Sequence, residues 1–304
     1  MLKKADIYDI INQFNCIIYE RRRTVLELLG WMLRVLDTRM TTPKMYGPFH
    51  LAFFALSIAF GIFLYRIKKK PDERFVRKLL LVTSVIVVLF EVIKQINYTF
   101  SYDGATITAD YQWYAFPYQF CSTPMYVGLL CAFVKGRMHD AMCSYLATFS
   151  VFAGFVVMLY PPQVYIDVIA INVQTMVCHG LMISIGIYLL ASGYVKLQHR
   201  TILGAIAVFG VLVGIAVAAN ELVYYSGIVG DETFNMFYIS RHYPPSLPVY
   251  SSVQAVVAYP WCMIIYILVF SLAAYVVLLL SMLIRRVYIR LSSPERKREL
   301  VLNK

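Results

Sequence analysis

"ILGAIAVFGVLVGIAVAANELVY", Ile202 to Tyr224, decides the fold. From Ile202 to Ala219 it carries no charged or hydrogen-bonding side chain, and crossing the hydrocarbon core takes about 20 mostly apolar residues in a helix. Segments of the same kind recur at about 46–65, 79–99, 115–134, 141–160, 165–195 and 255–284. Hydrophobic residues make up 60% of the chain and the mean hydropathy is +0.65, a composition that excludes a soluble domain of this length. In lipid every backbone N–H and C=O must be satisfied internally, so the runs read as helices. The expected fold is an all-α, polytopic membrane helical bundle with seven transmembrane helices.

Residues 1–45 read as a separate amphipathic, interfacial segment, 46–285 as the membrane domain and 286–304 as a basic tail. The first 46 residues are charged throughout and lack the apolar core of a cleavable signal peptide. Within them, "RRRTVLELLGWMLRVLDTRM" sets Val25, Leu28, Leu29, Trp31, Met32, Val35 and Leu36 near one helical face, the pattern of a helix lying on a membrane surface. A helix packed on the bundle's own loops fits equally well.

The formal charge of +11 comes largely from "RIKKKPDERFVRK" (Arg66 to Lys78) and "RRVYIRLSSPERKRELVLNK" (Arg285 to Lys304). Both flank spans, so lipid headgroups account for them and nucleic acid is not an expected partner. With these clusters and the turns holding Lys135, Arg137, Lys196 and Arg200 on the cytoplasmic side, the opposite loops contain one arginine, Arg241. The positive-inside rule then gives an external N-terminus and a cytoplasmic C-terminus. The eight Lys/Arg among the first 46 residues oppose that assignment; an interfacial helix holds its arginines at either headgroup layer.

Polar side chains at membrane depth are costly and mark functional candidates. Cys121 and His179 lead, with His50, Glu91, Asn172, Asn220 and Asn235 as supporting or substrate-binding candidates. On the third run, which contains "PYQFCSTPMY", Pro117, Cys121, Pro124 and Gly128 share a helical face, and on the fifth run Asn172, Thr175, His179, Met182 and Gly186 do. Pro117 and Pro124 suggest a kink at Cys121. A thiol is nucleophilic only as thiolate, and a histidine within reach supplies the base; such a pair suits ping-pong acyl transfer through a thioester. From the residues alone, packing roles for both remain open. Cys178, about 100° from His179 on a helix, together with Cys131, Cys143 and Cys262, reads as packing, and His139 as solvated. The six cysteines form no CxxC or zinc spacing, so no metal and no cofactor are expected.

Four stretches carry a family resemblance: "GPFHLAFF" with His50, "PYQFCSTPMY" with Cys121, "VCHGLMISIGIYLL" with His179, and "FNMFYISR" followed by "YPWCMIIYI" with Asn235. From about residue 46 onward the chain resembles the YwaF-type bacterial membrane proteins and the related transmembrane protein 164 family of animals. That resemblance implies a phospholipid acyltransferase working without acyl-CoA, with Cys121 as nucleophile, His179 as base, and membrane phospholipids and lysophospholipids as substrates. With water as acceptor the same pair is a lipase. The competing readings are a small transporter or channel, whose polar layer is His50, Glu91, Lys94, His179 and Glu221, and a non-catalytic membrane scaffold. Oligomeric state is not legible.

Overall fold

A computed structural model of the chain describes residues 20–292 apart from 22, 162–163 and 244–247. Most of the basic tail and the first 19 residues, including Cys16, lie outside the described residues. The architecture is the expected helical membrane bundle. Helix α1 covers 23–36. It is followed by α2 Pro48–Ile67, α3 Glu73–Asn97, a two-stranded hairpin (β1 Phe100–Tyr102, β2 Ile107–Ala109), α4 Thr123–Phe133, α5 Gly136–Ala147, α6 Phe149–Leu159, α7 Ile169–Ala191, α8 Thr201–Ser226, α9 Pro248–Val256 and α10 Tyr259–Ser292. In the hairpin, Phe100 pairs with Ala109 and Tyr102 with Ile107 in antiparallel register.

Among the described residues six helical units are long and apolar enough to cross a membrane: α2, α3, α5 continued by α6, α7, α8 and α10. The expected third span differs. Its α-helix is the 11-residue α4, and Cys121 lies before it in a 3-10 turn, Phe120–Ser122. The reason is local. Pro124 sits in the first turn of α4, where its missing N–H is one of the donors a helix start leaves unpaired; it starts the helix rather than kinking one. The irregular chain before it is tolerated because side chains satisfy its carbonyls. Tyr126 Oη donates to Pro117 O at 2.8 Å, Gln95 Nε2 to Ala115 O at 2.8 Å and Thr123 Oγ1 to Phe120 O at 2.8 Å.

The fourth span breaks at Thr148, whose φ and ψ of −124° and −72° lie outside the helical region. Its hydroxyl donates to Ser144 O at 2.7 Å, the back-bonding by which threonine bends helices. The break lets Tyr145 stack on Phe149 and Phe149 on Phe209, whose ring centroids stand 4.5 Å apart. α7 is the most buried span, with α2, α3, α5 and α6 packed around it. Gly154 permits the α6–α7 approach, since a Cβ there would sit 3.0 Å from His179 O.

Sidedness within the bundle is fixed by contacts. Arg39 pairs with Asp167 at 2.8 Å, the Arg34 guanidinium lies 5.3 Å from the Tyr102 ring, and Asn97 Nδ2 donates to Leu36 O at 3.2 Å. α1 therefore docks at the end bearing the hairpin. At the opposite end Tyr188 Oη donates to Lys68 O at 3.0 Å and His199 meets the Tyr275 hydroxyl at 2.7 Å. Val25, Leu28, Trp31 and Val35 on α1 are each half or more exposed, the surface an interfacial helix offers to lipid. α10 runs on to Ser292, past the expected boundary at 285.

Candidate functional site

Cys121 is positioned from both sides. The preceding Phe120 packs on Phe209, Phe237 and Phe270 with ring centroids 5.3–5.8 Å apart, and Thr123, two residues on, shares a 2.7 Å hydrogen bond with the buried Tyr145 hydroxyl. Gln119 ties the same turn to the 230–242 loop: its Nε2 donates to Asn235 O at 3.0 Å and its Oε1 accepts from Phe237 N at 2.9 Å. That loop holds Phe237 and Tyr238 at φ of 58° and 57°, conformations that cost non-glycine residues about 1–3 kcal/mol each unless their surroundings hold them. Sequence patterning does not mark Gln119 or Tyr145, because both act through contacts more than 20 residues away.

The half-buried Cys121 lines a partly open cavity of about 40 Å³, with Ser84, Gly128, Ser150, Cys178 and Met182 among the other walls. About 10–15 Å³ of such volume holds one water, so the space takes a few waters and no acyl chain. A second, more open crevice of about 340 Å³ lies between α3 and the 117–126 segment, lined by Val88, Glu91, Val92, Ile96, Pro117 and Tyr126. Met125 borders both spaces. Close approach of α3 and α4 here depends on Gly128, because a Cβ at that position would collide with Ser84 Oγ.

Cys178, expected to point away as a packing residue, stands on the cavity wall. The face of α7 that lines the cavity is Cys178, Leu181, Met182 and Ile185; His179, next along the helix, is not on that lining. The His179 ring is buried. Its Nδ1 meets Thr175 O at 2.7 Å; a carbonyl only accepts, so the proton is on Nδ1 and Nε2 carries the lone pair. Nε2 is buried with no hydrogen-bond partner among the described residues. No hydrogen bond joins it to Cys121.

The supporting candidates are each engaged in hydrogen bonds within the protein. His50 uses both ring nitrogens, Nδ1 accepting from Tyr46 N at 2.8 Å and Nε2 donating to Met158 O at 2.6 Å, which leaves none for a substrate. Asn172 clamps the chain before α7, accepting from Ile166 N and donating to Ile166 O. Asn220 does the same for Met236, and Asn235 Oδ1 accepts from Ser240 N. Glu91 pairs with Lys94 at 2.8 Å and accepts from Gln95 at 2.7 Å and from Gln174 at 3.3 Å. It reaches α7 through Gln174, while Thr175 O orients His179. Glu221 is paired with Arg241 and His242 at the surface. His139 is not solvated: it is 2% exposed and meets Cys131 and Tyr194.

The model of one protein family, described as the TMEM164 family, matches residues 45–282. No curated protein matches the chain. No solved structure matches it either.

Proposed function

The chain belongs to the TMEM164 family, and from that membership and the geometry around Cys121 we propose that it is a cysteine-dependent phospholipid acyltransferase in which Cys121 is the nucleophile and His179 the general base. One observation carries the reading: His179, the residue next to the cavity-lining Cys178, presents a buried, unpartnered Nε2 with the proton fixed on Nδ1. A buried lone pair without a donor is costly, and a histidine held in that tautomer is set to take a proton. Cys121 also lies two residues before the first residue of α4, where the positive end of the helix dipole favours negative charge on sulfur and on an adjacent oxyanion. Cys178, in the middle of α7, has no such neighbour.

The reaction then runs in two balanced halves. The Cys121 thiol gives its proton to His179 Nε2, directly or through a cavity water. The thiolate attacks the ester carbonyl of a phospholipid, and the departing glycerol oxygen takes the proton back from Nε2 as the thioester forms. A lysophospholipid hydroxyl next gives its proton to Nε2 and attacks the thioester; the released thiolate recovers the proton. The donor's chain lies in the crevice between α3 and the 117–126 segment, with Met125 between it and the thiol. The internal Glu91–Lys94 pairing favours this reading over a transporter, since the two charges already neutralise each other.

The test incubates the purified chain with labelled phospholipid and unlabelled lysophospholipid. Wild type transfers label and accumulates a hydroxylamine-sensitive acyl-enzyme; Cys121→Ala does neither. Transfer that is absent from wild type, or undiminished in Cys121→Ala, would falsify the proposal.

A further inference from the structure

Away from the Cys121 cavity, a second cluster of nucleophilic and titratable side chains closes the turn between α4 and α5. Cys131 lies in the last turn of α4, His139 in the first turn of α5 and Cys143 one turn further on. They are 0%, 2% and 1% exposed. Cys131 Sγ is 3.4 Å from Cys143 Sγ and 3.4 Å from His139 Nδ1, and one donor atom from each of the three residues lies within 4.8 Å of the others. From these distances we infer that Cys131, His139 and Cys143 form a binding site for a thiophilic metal ion, with Zn²⁺ the fitting occupant.

The spacing explains why a sequence reading misses it. His139 and Cys143 are i and i+4, one above the other on a single helix face, while Cys131 arrives from another helix; the pattern is C-x7-H-x3-C and contains no CxxC. The distances suit the ion. Two thiolates bound tetrahedrally at about 2.3 Å stand roughly 3.8 Å apart, and a thiolate and an imidazole nitrogen about 3.6 Å; Cys131 Sγ is within a few tenths of an ångström of both requirements, and Cys143 Sγ, which now meets His139 Nε2 at 3.5 Å, shifts toward Nδ1 to complete the site. Charge agrees as well. Two thiols each losing a proton to solvent offset a divalent cation, and a neutral imidazole adds none, so the buried complex carries no net charge.

The outer partners are in place. His139 Nε2 and the Tyr194 hydroxyl are 2.7 Å apart; with Nδ1 on the metal, Nε2–H donates to Tyr194 Oη, the arrangement that orients ligating histidines. Without metal the other tautomer serves, Nδ1–H donating to Cys131 O at 2.9 Å and Tyr194 donating to Nε2. The same Cys131 carbonyl is at hand as a fourth donor. An ion here pins the C-terminal end of α4, the helix whose opposite end begins beside Cys121.

The experiment strips the purified full-length chain in detergent with a chelator under reductant, then loads it with Zn²⁺ or Co²⁺. Wild type should retain one ion per chain after desalting, and Co²⁺ should give near-ultraviolet thiolate-to-metal absorption. Cys131→Ser, Cys143→Ser and His139→Gln should each lose both signals, while Cys121→Ser keeps them. Should any of the three ligand variants fold poorly, the wild-type loading decides alone. Retention by wild type no greater than by Cys131→Ser overturns the site, as does a Cys131–Cys143 disulfide in the freshly purified chain.

Discussion

At the scale of the residue, the two thiols on one cavity wall make the sharpest distinction. Cys178→Ala is expected to keep most acyl transfer, because Cys178 lacks the helix start that follows Cys121; transfer lost in Cys178→Ala and kept in Cys121→Ala reverses the assignment. His179→Ala should lower kcat about 10²–10⁴-fold, the usual contribution of a general base, with a flattened pH dependence. Gln119→Leu removes both hydrogen bonds to the 230–242 loop and leaves Phe237 N without its acceptor. It should cost about 1–3 kcal/mol of stability and slow transfer through displacement of Cys121, read as a lower Tm together with a lower kcat.

At the scale of the element, the approach of α3 to α4 sets the width of the cavity. Gly128→Val pushes a side chain into Ser84 Oγ and should destabilise the chain by about 1–3 kcal/mol, as overpacking does. Met125→Ala instead joins the 40 Å³ cavity to the 340 Å³ crevice; transfer from long-chain donors should rise relative to short-chain ones, and an unchanged ratio argues against this route. The hairpin offers a pH test. Asp103 accepts from Ala105 N, Thr106 N and Thr106 Oγ1 at 2.7–2.8 Å, which holds its carboxyl down to about 2 from an ordinary 3.8. A depressed carboxylate stabilises above its unfolded pKa and ceases to as pH falls through the folded value. The turn should hold above about pH 4 and loosen between about 4 and 2, and at neutral pH Asp103→Asn should speed amide exchange at Ala105 and Thr106.

At the scale of the whole molecule, the contacts put α1 and the hairpin at one end and the Lys68, Gly193 and Arg285 region at the other. By the positive-inside rule the first end is expected to face outward. A membrane-impermeant maleimide should therefore label Asp103→Cys in intact cells and Lys196→Cys only after permeabilisation; the reverse pattern inverts the topology.

The membrane class and the run of helices were legible in the sequence because crossing hydrocarbon requires about 20 apolar residues whatever surrounds them, and Ile202 to Ala219 or the apolar body of α10 satisfies that alone. Cys121 and His179 stood out for the same reason, as polar groups where polarity is expensive. What the sequence did not determine depends on partners far along the chain. Pro124 suggested a kink until the 3-10 turn ahead of it made it a helix start. Cys178 passed for packing until α7 was rotated against α3 and α4, and His139 for a solvated residue until α5 folded back on Cys131. Helical periodicity gives the angle between neighbours on one helix, but which face meets a cavity, another thiol or lipid is set by how the helices pack together. Only the tertiary structure decided that.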